Sequence, residues 1–449
     1  MLQYKYSLVM PRLDGISGRT AAAIAASIEL AFHSGKLSGT THLPVIRDLA
    51  KSLRVSPVTV AAAYRLLRSR GLARGDGRRG TWLRVQTQLA PAAVSQSRHD
   101  AQLVDLATGN PDPAFLPPIG HALRGVDPDA RLYGGPLEWP PLVSFASAEF
   151  AADGLATGPI AVTSGSLDAI ERLLREHARA GDRVAVEDPT FPALLDLLAS
   201  LGLVPAPFSV DDEGPRPESL ERALGPGVPA VVLSSRAQNP TGAAISHKRA
   251  SDLGSVLRGR PRGVLIEIDD SVAVSGASLV TLTREREQWA VVRSTSKWLG
   301  PDLRVAVVTG DAITIARLQR RQAISVRWVS HLLQQLTWAL WSDPSSGRLF
   351  ARAAEAYEAR RHALIAALAA HDIHAHGRSG FNVWIPVREE TAAVQALADR
   401  GWAVAAGERF RLQSPPAIRV TTSALLPAEA KRFAADLATA ARPRAPVVA

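Results

Sequence analysis

The eleven residues Ser294 to Arg304 set a lysine, Lys297, among the small hydroxyl residues Ser294, Thr295 and Ser296, with Arg304 seven positions on past a Gly-Pro turn. Apolar runs at Trp289 to Val292 and Val305 to Val308 flank the stretch and read as buried strands. A lysine and an arginine so spaced can bring one amine and several phosphate donors to a single pocket. Pyridoxal phosphate (PLP) requires that set: its aldehyde takes a lysine as an imine, and its dianionic phosphate takes hydroxyls and a guanidinium. Taken alone, the stretch reads equally as a solvated loop with ordinary cations.

Further groups stand at the ends of other apolar runs. Ile160 to Ile170 reads as a strand, a Ser164-Gly165-Ser166 turn and a helix start, whose backbone N–H groups form an anion site. Val184 to Val186 leads into Glu187-Asp188-Pro189-Thr190-Phe191, Ala230 to Leu233 into Asn239-Pro240-Thr241-Gly242, and Val264 to Ile268 into Asp269-Asp270. Strands alternating with helices from Val104 onward predict an α/β body with a mostly parallel sheet. From about Asp343 to Arg442 a long helix, a strand at Phe381 to Val387, a helix at Ala392 to Arg400 and a last helix from Pro427 predict a small α/β lobe. His371, His374 and His376 alternate with apolar residues as in a strand, and no cysteine completes a ligand set, so no metal site is expected.

The 449 residues contain no cysteine, which excludes disulfides and thiolate chemistry and suits a reducing cytosol. No apolar run approaches the roughly 20 residues of a membrane span, and the N-terminus lacks a signal-peptide pattern, so a cytoplasmic protein is expected. Charge is uneven. Residues 1–85 carry 14 Lys+Arg against 4 Asp+Glu, and this excess of ten equals the formal charge of the whole chain, +10. A basic head on a neutral body points to a polyanionic partner.

That head reads as three helices and a hairpin. Gly18 to Ser34 is alanine-rich with Ile24 and Ile28 on one face, Val45 to Leu53 is a second helix, and Ser56 caps a third with Pro57 at its first position. Ala73 to Val85 has a Gly- and Arg-rich tip between apolar ends. This order is that of a winged helix-turn-helix. The residues Leu43-Pro44-Val45-Ile46-Arg47-Asp48-Leu49-Ala50, then Val55 to Val60, Tyr64, Leu67, Gly71-Leu72 and Gly80-Thr81 resemble the GntR type over residues 12–85. Ser56 and Thr59 begin the helix that would enter the major groove of double-stranded DNA, and Arg47, Arg78 and Arg79 would meet phosphates or the minor groove. A helical protein-interaction module is the alternative. Residues 86–103 read as a linker.

In the body, the order Ser-Gly-Ser, Asp-Pro-Thr-Phe, Asn-Pro-Thr-Gly, Asp-Asp, Ser-x-x-Lys and Arg resembles the fold-type I aminotransferases from about residue 104 to 442. Head and body together resemble the MocR/GabR-type transcription regulators. The resemblance implies that Lys297 carries PLP as an internal aldimine, that Gly165, Ser166, Ser294 and Arg304 hold its phosphate, that Phe191 stacks on the ring and that Asn239 donates to the phenolic oxygen. Asp269 is the carboxylate preferred for the ring nitrogen, although another register puts Asp270 or Ile268 there. Ser271 stands where the family has a tyrosine, which favours sensing over turnover. Tyr133 matches a tyrosine that reaches the phosphate from a neighbouring subunit, or else is a core residue. Arg419 matches the arginine that grips an effector carboxylate, or else forms a structural ion pair. The expected function is a homodimeric DNA-binding regulator that senses PLP or an amino compound. A working aminotransferase and a PLP-free dimerisation scaffold are the alternatives.

Overall fold

The structure, a computed structural model, describes residues 16–33, 37, 42–69, 73–76, 80–83, 103–127, 129, 132–156, 158–259 and 262–441. The chain divides into an N-terminal unit and a larger body. Arg78, Arg79 and the linker expected at 86–103, Leu103 excepted, lie outside the described residues. No helix among the described residues is long and apolar enough to cross a membrane.

In the N-terminal unit, helices α1 (Ala21–His33), α2 (Ile46–Leu53) and α3 (Pro57–Ser69) precede an antiparallel pair, β1 (Ala73–Asp76) and β2 (Gly80–Leu83). Ile24, Ile28, Leu49, Val60, Leu67 and Leu83 close one core. Tyr64 is buried there and donates to the carbonyl of Pro44 at 2.8 Å. Arg54 ends α2 at φ 52°, its N–H returning to the carbonyls of Ala50 and Lys51, and so makes the turn into α3. The Ser56 hydroxyl then accepts the Thr59 N–H at 3.1 Å, the N-cap its position requires.

The body holds two sheets. In chain order its strands are β3 (Val104–Leu106), β4 (Ile160–Thr163), β5 (Arg183–Asp188), β6 (Val204–Asp211), β7 (Gly214–Pro215), β8 (Ala230–Ser234), β9 (Val264–Ile268), β10 (Trp289–Ser294), β11 (Ala306–Gly310), β12 (Asn382–Pro386), β13 (Trp402–Ala406) and β14 (Ala417–Thr421). Eight form the large sheet in the order β4-β11-β10-β9-β8-β5-β6-β7, with β11 and β7 antiparallel to their neighbours and the others parallel. Strands β8, β9 and β11 are buried along their whole length and β10 at every residue after Trp289, as apolar runs covered by helices on both faces must be. The small sheet runs β12-β14-β13-β3. Its edge strand β3 comes from the beginning of the body, about 300 residues before its neighbours, so the small lobe is not confined to the 343–442 expected from the helix-strand alternation. Asp188 ties the lobes together by accepting the N–H groups of Leu412, Gln413 and Ser414 at 2.8–2.9 Å.

Candidate functional site

The pocket opens at the C-terminal ends of the parallel strands, where open α/β sheets bind ligands. It has a volume of about 260 Å³ and is lined by Ser166, Phe191, Asn239, Asp270, Ser294, Lys297 and Arg304 among others. The turn carrying Lys297 is fixed from below. Trp298 is fully buried in the core and its indole N–H donates to the Ser294 carbonyl at 3.0 Å, while the Thr295 N–H and hydroxyl both donate to the Val305 carbonyl. With its neighbours so anchored, Lys297 turns into the pocket, where its Nζ donates to the Gly109 carbonyl at 2.7 Å. Burial, and then the nearby Arg419 guanidinium, push its pKa down to about 8, against the opposing pull of Asp270.

Gly165 precedes the helix Ser166–His177 with φ 93°, and a Cβ on it would stand 3.0 Å from the Arg304 guanidinium. Only glycine lets that cation lie against the helix start. The Ser294 hydroxyl pairs with that of Ser296 at 2.9 Å, a second hydroxyl at the same strand exit. Phe191 lines the pocket wall, and the Asn239 side-chain oxygen accepts from Arg419 at 3.2 Å. Arg419 itself lies buried on β14 over the Phe410 ring, with its guanidinium also donating to the Ala107 carbonyl. Burial lowers its pKa to about 10.

The preference for Asp269 as the pocket carboxylate is corrected. Successive residues leaving β9 point to opposite sides, so only one of the two aspartates can face the pocket. Asp269 points away, fully buried between two guanidinium groups: Arg236 at 2.6 Å and Arg293 at 2.7 Å, the latter also held by Asp153 at 2.5 Å. Asp270 lines the pocket and accepts from the Ser166 hydroxyl at 2.7 Å and from the Ser294 N–H at 3.1 Å. Burial raises its pKa. A phosphate drawing on Ser166 and Ser294 must therefore share these donors with Asp270. Ser271 is buried and lines the pocket, as does Ile268.

Tyr133 lies outside this pocket, 78% exposed, edge-on to Trp328 and under the Arg327 guanidinium. In the N-terminal unit Arg47 and Ser56 are exposed and Thr59 half-buried, its hydroxyl 2.8 Å from that of Ser56. Sequence reasoning named Ser296 among the hydroxyls around Lys297 without giving it a role of its own, and gave none to Arg236, Phe381 or the segment Asp105–Asp112. Phe381 lines the pocket wall, its ring centroid 5.7 Å from Lys297 Nζ. A trace of the last was visible in Thr108-Gly109-Asn110-Pro111, a turn-forming run.

A buried amine with a depressed pKa, a glycine-opened helix start beside an arginine, clustered hydroxyls and one buried carboxylate are a set that fits PLP. Fold and pocket together define a protein with a fold-type I aminotransferase body. The aminotransferase class I and II family model matches residues 101–437, and that of the bacterial regulatory proteins of the gntR family matches residues 20–83. The chain therefore belongs to the MocR-type transcription regulators, DNA-binding proteins with a GntR head on an aminotransferase class I and II body. It is 39% identical over 426 residues to the vitamin B6 salvage pathway transcriptional repressor PtsJ of Salmonella typhimurium, covering 94% of this chain and 98% of that one. The HTH-type transcriptional regulator YdcR of Escherichia coli is 27% identical over 77% of this chain and 82% of its own length. Among solved structures, kynurenine aminotransferase of Pyrococcus horikoshii superposes with a TM-score of 0.67 at 21% identity, covering 76% of this chain and 91% of that one. LysN, the alpha-aminoadipate aminotransferase of Thermus thermophilus, gives 0.66 at 21%, over 76% and 92%. These last two speak to the fold alone.

Proposed function

We propose that this regulator binds PLP at Lys297 and that occupancy of the pocket alters its grip on an operator that controls vitamin B6 salvage genes. The observation that carries this reading is the buried Lys297 amine, brought to about 8 and surrounded by hydroxyls, Arg304 and Asp270. The salvage genes come from the likeness to PtsJ.

PLP, when bound, supplies an aldehyde and an electron-withdrawing ring to the pocket. Lys297 offers the amine, and its lowered pKa leaves an appreciable neutral fraction near neutral pH. Ser294, Ser296, Arg304 and the helix start at Gly165 offer phosphate donors, Phe191 an apolar wall, and Asp270 a carboxylate for a pyridinium. Asn239 commits its oxygen to Arg419, which orients its amide N–H groups. Ser271 brings a short hydroxyl where a tyrosine would reach further, which supports a sensor over a fast transaminase. On the DNA side, the start of α3 brings Ser56 and Thr59 to the major groove while Arg47, Arg78 and Arg79 meet phosphates or the minor groove. A homodimer, with Tyr133 reaching across to its partner, presents two heads to a repeated site.

Titrating the purified full chain with PLP and recording the visible spectrum tests the reading. A long-wavelength band in the wild type that is missing in Lys297→Ala is expected. No band in either protein would leave a DNA-binding regulator that does not take PLP at this lysine.

A further inference from the structure

The segment Asp105–Asp112 meets two buried cations through its backbone carbonyls: Lys297, which lines the pocket, and Arg419, which is bonded to the pocket residue Asn239. Gly109 O accepts from Lys297 Nζ at 2.7 Å, and Ala107 O accepts from Arg419. At φ 73° Gly109 sits so close that a Cβ would stand 3.3 Å from both terminal nitrogens of Arg419. The segment is a formed strap. The Asp105 carboxylate accepts the N–H groups of Ala107 and Thr108 at 2.9 and 3.0 Å, Ser423 donates to the Asn110 carbonyl at 2.6 Å, and Arg360 holds Asp112 at 2.8 Å. It is also the direct continuation of β3, the first strand of the body after the DNA-binding unit, which is tied to the small sheet by three residue pairs with β13 and by the Val104 N–H to the Gly401 carbonyl.

Resting on the proposal that PLP takes Lys297, we infer that this strap is the regulatory element of the pocket: it holds Lys297 and Arg419 when no ligand is there, and it is released from them when one binds. The chemistry requires the exchange at Lys297. When an ammonium group condenses with an aldehyde, the aldehyde oxygen leaves as water with two of the three amine protons, and the nitrogen keeps at most one. The Gly109 carbonyl then faces at most one N–H, on a planar nitrogen whose direction is fixed by the new double bond, where it had a freely rotating ammonium with three, and a buried carbonyl so weakly paired favours the displaced strap. A ligand carboxylate arriving at Arg419 competes with Ala107 O in the same direction. Because both contacts fall on one short segment, the pocket's occupancy and the position of β3 are linked, and linkage runs both ways: operator DNA must alter PLP affinity by the factor by which PLP alters operator affinity.

The chain has no cysteine, so Thr108→Cys, at an exposed strap position, carries a single environment-sensitive fluorophore in the full-length protein. PLP is added while the visible band, the label emission and operator binding are followed. The emission is expected to change in step with the band. Ser423→Ala and, separately, Asp105→Asn loosen the strap away from Lys297. Each is expected to keep the band while the effect of PLP on operator affinity shrinks by about fivefold, the equilibrium weight of one or two hydrogen bonds. A wild-type band with unchanged emission, or loosened variants that keep the full response of operator affinity, overturns the strap while leaving PLP binding intact. No band at all overturns the PLP reading and the strap with it.

Discussion

Two aspartates in succession have opposite fates, and the difference is set by residues on other strands. Asp269 meets Arg236 and Arg293 in the interior, and a buried pair broken on one side costs about 3–5 kcal/mol. Asp269→Asn should therefore lower the stability of the body to urea by that order and leave PLP affinity largely as it was, whereas Asp270→Asn should weaken PLP binding with little loss of stability. The reverse pattern would put Asp269 at the ring. Nothing in Glu267-Ile268-Asp269-Asp270-Ser271 breaks this tie, because the deciding guanidinium groups lie 33 and 24 residues away in the chain. Lys297, in contrast, was legible from its own neighbours, since hydroxyls, a Gly-Pro turn and two flanking strands are all local. Its acidity was not, because that follows from burial and from Arg419. Lysine ordinarily loses its proton near 10.5, and here near 8, so the rate of PLP uptake should climb with pH to a midpoint near 8. A rate still rising steeply above pH 9.5 would contradict the buried amine.

Helix α3 shows how an element limits what the head can read. Its first turn, Ser56-Pro57-Val58-Thr59, holds no Arg, Lys, Asn or Gln, so the bidentate contacts that select guanine or adenine are absent from it. The Ser56 and Thr59 hydroxyls face one another, and Val58 stands 71% exposed. An apolar side chain at that place suits the thymine methyl group. Replacing operator thymines one at a time by uracil removes that methyl alone, and each contacted position should cost the wild type about 0.8 kcal/mol, roughly fourfold in affinity. Val58→Ala should be indifferent to the same exchange; equal sensitivity in both proteins would exclude Val58 as the reader. The three helices and the hairpin of the head were readable from periodicity and caps, as were the buried strands β8 to β11. Strand β3 was not, because three residues carry no period and their partner β13 lies about 300 residues further on.

At the scale of the whole chain, the formal charge resides in the head and the ligand chemistry in the body, so the molecule divides the recognition of DNA from the recognition of a small molecule. Neither half regulates alone. A body that bound PLP equally well with the head on or off its operator would exert no control, however tight the binding. The strap Asp105–Asp112 lies in the body directly after its first strand, and Lys297, Asn239 and Arg419 give the body something to report.

The most direct test is operator affinity at one fixed salt concentration, by fluorescence anisotropy, with and without PLP, for the wild type and for Lys297→Ala. Salt must be held because phosphate contacts such as those expected of Arg47 depend on it steeply. A change of about fivefold or more on adding PLP to the wild type, and none in Lys297→Ala, is the result predicted. An equal response in both proteins, or none in a wild type that shows its PLP band, would contradict the claim that Lys297 links the cofactor to DNA binding.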